Sequence, residues 1–214
     1  MADVSYDLFA RWLKRSAEIA AEPDMDPLVA LVYNDVLKPY AESYLVLDEA
    51  VIKAESAWAK ENAEAVAAID ALEGPFKTAR ATALAYVPTL SVPETLSAQK
   101  TDTDKITAIE RLIDTVDDHV GTPWADAILA GELGTKGPET VREINESTAA
   151  NKGVSSTRQK RAEAFGPTWE RFLRFKRVVR SSLGPASKQY RRIHGPASRK
   201  LEPNEGGGGG GSAA

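Results

Sequence analysis

Residues 28–72 read LVALVYNDVLKPYAESYLVLDEAVIKAESAWAKENAEAVAAIDAL. Ala30, Leu37, Tyr44, Val51, Trp58, Ala65 and Leu72 recur every seven residues, and all are apolar. Three positions after the first six stand Tyr33, Tyr40, Leu47, Ala54, Glu61 and Ala68, apolar except for Glu61. Such a repeat, held for about six heptads, marks a coiled-coil-like helical seam. Alanine, the best helix former, fills eight positions between 54 and 71. A helix from 28 to 72 is about 67 Å long at 1.5 Å per residue. Pro39 lies inside it and is expected to kink it, or to split it near Lys38, because proline removes a helical hydrogen bond. A seam of this length needs a cover, from elsewhere in the chain or from a second copy. Self-association is expected to rest on Leu37, Tyr44, Val51 and Trp58.

The flanks read as helices too. Leu8, Phe9, Trp12, Leu13 and Ile19 share one face of a helix over 4–21, ended by Pro23. Asp26-Pro27 restarts the chain as a cap followed by a first-turn proline. Gly74-Pro75 is expected to break or bend the long helix before a shorter one that reaches Tyr86. Residues 87–100 read as a connection, in which Ser91 and Glu94 have capping-box spacing. Thr101 to Thr103 open a helix with Ile106, Ile109, Leu112, Ile113 and Val116 on one face, stopped at Gly121. Thr122-Pro123 starts a short helix, residues 131–137 read as a loop, and Gly137-Pro138 opens the last helical region. That region is weakest over 151–157 and is interrupted again at Gly166-Pro167. The expectation is an all-α fold: an elongated antiparallel bundle of long kinked helices over 1–183. A flexible C-terminal tail follows over 184–214, basic at first and then glycine-rich.

The 214 residues carry 27 Lys and Arg against 31 Asp and Glu, a net charge of −4. Cysteine is absent, which excludes disulfides, thiolate metal sites and thiol nucleophiles. Two histidines make a multi-histidine metal site a poor fit, and no Glu-x-x-His pair is present. The longest apolar run is 28–33, far below the roughly 20 residues of a membrane span. The N-terminus has charges where a secretory leader has an apolar stretch, so a cytoplasmic location is expected. Phosphate-loop, dinucleotide-loop, zincin and nucleophile-elbow motifs are missing. No cofactor and no catalytic residue is assigned.

The charge is unevenly placed. Residues 1–98 hold 8 Lys and Arg against 16 Asp and Glu, whereas residues 158–214 hold 13 against 4. The stretch Trp169 to Arg180 reads WERFLRFKRVVR. Trp169, Phe172, Phe175 and Val179 share an apolar arc, with Arg171, Arg174 and Arg177 opposite. Lys176 and Arg180 fall at the margin of the arc, where long stems lie over apolar surface. Lys188, Arg191, Arg192, Arg199 and Lys200 carry the positive charge onward. Arg171, Arg174, Arg177, Lys188, Arg191 and Arg192 are therefore the candidate polyanion-binding residues, since arginine's planar fork matches phosphate. The competing role for this helix is to close the bundle with its apolar arc. On α-helical spacing, Glu110, Asp114, Asp117 and Asp118 form an acidic face read as solvated, and no metal site is assigned to it. The expected function is a non-catalytic helical interaction or scaffold protein that binds a protein partner or a second copy. A nucleic-acid or other polyanion binder using residues 158–200 is the alternative.

Overall fold

The computed structural model describes residues 4–194. They form seven α-helices: α1 (Tyr6–Ala20), α2 (Pro27–Val32), α3 (Lys38–Tyr86), α4 (Asp102–Asp117), α5 (Pro123–Ala130), α6 (Glu132–Leu183) and α7 (Lys188–Ile193). No strand occurs among the described residues, so the expected all-α bundle stands. The tail from 195, with Arg199, Lys200 and the glycine run, lies outside the described residues.

Two compact units share the two long helices. Among the described residues, the first unit takes 4–49 and 160–194 and the second takes 50–159.

In the first unit, Ser5 caps α1 by accepting the Leu8 N–H, and Asp26 caps α2 through the Leu28 N–H at 2.9 Å. Phe9, Leu13, Ile19, Leu37 and Tyr44 pack against Phe172, Phe175 and Val179 of α6. The helical arm of α3 runs antiparallel to that of α6. Tyr40 meets Arg171, and Asp48 meets Arg161. Pro39 does not split the helix. Residues Tyr33–Leu37 form one wide π-type turn, in which the Lys38 N–H reaches back five residues to the Tyr33 carbonyl. Widening the turn immediately before proline accommodates the residue that cannot join the α-helical ladder.

The second unit is built on α4, α5 and the facing stretches of α3 and α6. Leu72, Phe76, Ile109, Leu112, Val116, Trp124 and Ile144 are in its core. Thr101 and Asp104 cap α4 reciprocally, at 3.1 and 3.2 Å. Gly121, at φ 91°, follows the helix as expected. The connection is tied down by Glu73, which accepts the Ser97 N–H and hydroxyl at 3.1 and 2.8 Å. The capping spacing at Ser91 and Glu94 is not used. The short 3₁₀ turn is Leu96–Ala98, and Ser91 accepts a hydrogen bond from Arg111 instead.

The Gly-Pro pairs at 74 and 166 lie inside continuous helices, against the expectation that they interrupt, and the pair at 137 lies inside α6 rather than opening it. The stretch 131–137 is not a loop, because α6 begins at Glu132. Its glycines are contact residues. A Cβ on Gly134 would fall 1.9 Å from the Leu129 carbonyl oxygen, and one on Gly137 would fall 2.8 Å from Ile113 Cδ1. Glycine here allows close packing of one helix end on another rather than a turn. The expected weak stretch 151–157 is helical as well, anchored by buried Val154.

Candidate polyanion-binding face

Leu183 ends α6, and Gly184 follows with φ 83°, a conformation that glycine adopts without penalty. Ser187 then accepts the Tyr190 N–H at 3.2 Å and caps α7. Tyr190 and Ile193 of α7 are buried against the first unit's core. Residues 184–194 are therefore folded, although the sequence places them in a free tail. The apolar content that brings them back is only two residues, too little to register as a helical stripe.

This return sorts the six candidate cations. Arg174, Arg177, Lys188 and Arg191 are exposed and have no carboxylate partner among the described residues. Arg180 joins them, exposed and equally unpaired. Arg171 is occupied instead: its guanidinium lies 4.7 Å from the Tyr40 ring centroid and contacts Glu170 at 3.2 Å. Arg192 is occupied too, held by Glu18 of α1 and, at 2.9 Å, by Glu22 in the turn that follows it. Gln189 donates to the same Glu22 at 2.9 Å, which fastens α7 to α1.

Beside the exposed cations, Lys176 sits half-buried between two aromatic faces. Its Nζ is 5.9 Å from the Trp12 ring centroid and 5.8 Å from that of Tyr190. Burial pulls its proton affinity below the usual lysine range. His194 stacks on Tyr190 at 4.8 Å and 20°. Its proton affinity is lowered by desolvation first, then by the charges of Lys176 and Arg180. Helical projection puts Lys176 and Arg180 only at the margin of the apolar arc and residue 194 in the tail, because the contacts of Lys176 and His194 with Tyr190 depend on α7 folding back.

Leu37, Tyr44 and Val51 are buried inside the chain, and Trp58 is half-buried. The chain's own helices cover those first three residues, which are therefore unavailable to a second copy.

Glu110, Asp114, Asp117 and Asp118 are exposed along and just after α4. A different acidic trio, Glu61, Glu143 and Glu146, brings carboxylate oxygens within 4.8 Å of one another. Arg142 contacts Glu143 and Glu146, and Lys60 lies 3.7 Å from Glu61, so basic side chains already supply countercharge. His119, the other histidine, donates Nδ1–H to the Thr115 carbonyl at 3.0 Å and rests against Trp124. The second unit also has an open cleft of about 710 Å³, walled by Pro75, Ala79, Tyr86, Trp124, Ala127 and Ile128. No described helix is long and apolar enough to cross a membrane. In comparisons with known proteins, no family model, no curated protein and no solved structure matches this chain.

Proposed function

We propose that this chain is a non-catalytic helical interaction protein whose partner is a nucleic acid, bound through the basic face of α6 and α7. The observation that carries the reading is the set Arg174, Arg177, Arg180, Lys188 and Arg191: five exposed cations, none paired to a carboxylate among the described residues. Neutralisation within the fold is the ordinary fate of such charge, and Arg192 illustrates it. The five have escaped it. Exposed arginines suit phosphodiester oxygens, which they meet with paired donors. A lipid surface is less well matched. A membrane-bound amphipathic helix needs its apolar face free to insert, and Phe172, Phe175 and Val179 are fully buried in the core.

The test is fluorescence anisotropy of labelled single-stranded and duplex oligonucleotides at two salt concentrations. Micromolar or tighter binding that weakens steeply with salt is the expected result. Changing Arg174, Arg177, Lys188 and Arg191 together to glutamine is expected to reduce the slope of log K against log salt by up to about four. The protein's stability should change little, since each of these side chains is exposed. Absence of binding at low salt, or an unchanged slope in the variant, overturns the proposal.

A further inference from the structure

Lys176 poses a problem of charge balance. A half-buried ammonium costs desolvation energy and is ordinarily found with a counter-ion. Here no carboxylate lies within ion-pair distance among the described residues. Lys176 lies instead near two aromatic rings, those of Trp12 and Tyr190. Tyr190 connects the group: one neighbour of its ring is Lys176 Nζ and another is the His194 imidazole. Arg180 stands one helical turn beyond Lys176 and acts on the same histidine. Cation–π contacts of this kind attract the ammonium to the ring faces. They hold the ammonium in place without neutralising it.

The charges on the other packed element do not fill the gap. From α1, Arg15 donates to the Arg192 carbonyl at 3.0 Å and adds a further cation. Glu18 of α1 and Glu22 just after it are both taken by Arg192. The negative C-terminal end of the α6 dipole favours Arg180 and offsets part of the repulsion. It offers no group that can pair with Lys176 and His194 together.

We propose that Lys176, Arg180 and His194 form a seat for a single phosphate group at the junction of α6 and α7. The seat rests on the nucleic-acid reading for the source of that phosphate. It adds a property that the exposed arginines cannot supply. A seated anion raises the proton affinity of His194, so binding takes up a proton. Affinity therefore increases as pH falls through the histidine range and is lost as pH rises.

The experiment uses inorganic sulfate as a phosphate mimic that does not itself titrate near neutral pH. The His194 imidazole is followed by NMR through a pH titration, in sulfate and in chloride at equal ionic strength. His194 is expected to titrate about one unit higher in sulfate. Lys176→Met is expected to abolish the shift and Lys176→Arg to retain it. In parallel, Lys176→Met is expected to weaken oligonucleotide binding about tenfold at the acidic end of the range and less at the alkaline end.

If oligonucleotides bind while His194 ignores sulfate, the seat is wrong and the nucleic-acid reading survives. If sulfate moves His194 through Lys176 but oligonucleotides do not bind, the seat survives as a small-anion site and the nucleic-acid reading fails. An equal sulfate shift in Lys176→Met marks general charge screening and overturns the seat. Should Lys176→Met fail to fold, His194→Gln carries the same comparison by oligonucleotide binding, because His194 is exposed. In that case an unchanged pH dependence overturns the seat.

Discussion

Replacing Phe9 by alanine is expected to lower the unfolding free energy by about 3–5 kcal/mol. Phe9 is fully buried and sits at the centre of an aromatic cluster. Its ring centroid lies 5.1 Å from that of Tyr44, 5.0 Å from Phe165, 5.4 Å from Trp169 and 5.6 Å from Phe172. Truncation removes the transfer energy of the ring, leaves a cavity, and deletes several edge-to-face pairs at once. These partners come from α3 and α6, so no single side chain can move to refill the space. Urea titration followed by tryptophan fluorescence reads the loss directly, since Trp12 and Trp169 belong to the same cluster. A loss below about 1 kcal/mol would show that the cluster relaxes around the hole. Phe9→Leu keeps most of the volume and is expected to cost less than the alanine change.

Arg161→Met is expected to cost about 3–5 kcal/mol as well, for an electrostatic reason. Arg161 Nη1 donates to Asp48 at 2.7 Å, and the two side chains are only 12% and 11% exposed. The guanidinium also covers the Tyr6 ring at 4.4 Å. Methionine preserves much of the stem but strands a carboxylate in a nearly dry site. The partner change Asp48→Leu made together with Arg161→Met is expected to recover most of the loss, since paired apolar replacements of a buried ion pair are often neutral. The double-mutant cycle in urea separates the two explanations. Losses that simply add would show that Arg161 acts through packing rather than through Asp48.

Wherever hydrophobic spacing alone decides burial, the fold was legible in the sequence. The seven-residue repeat placed Leu37, Tyr44, Val51, Ala65 and Leu72, and all five are buried. Caps were legible for the same local reason: Asp26 and Thr101 act as expected. The Gly-Pro pairs misled because their local rule is a propensity, which packing on both sides can override. At 166–167, Phe165 and Trp169 lie against the aromatic cluster and keep α6 continuous. At Gly134 the deciding contact is with the Leu129 carbonyl, a backbone atom that no periodicity reveals. The basic face was legible in part. Helical projection separates Arg174 and Arg177 from the apolar arc. What occupies Arg192 is 170 residues or more away in sequence, on α1 and in the turn after it, and no pattern in 158–200 contains that information.

The junction between α6 and α7 has a stereochemical consequence. Gly184 has φ 83°, and a side chain placed there would meet nothing within 4 Å. Space is therefore no obstacle to a larger residue, and handedness is the whole obstacle. A D-alanine at 184, introduced by chemical ligation, has its natural minimum where the chain already sits. It would restrict the unfolded ensemble without straining the native turn, whereas L-alanine would resist the turn that carries α7 back to α1. The joint that presents the basic face is thus a mirror-image position in a chain of L-residues.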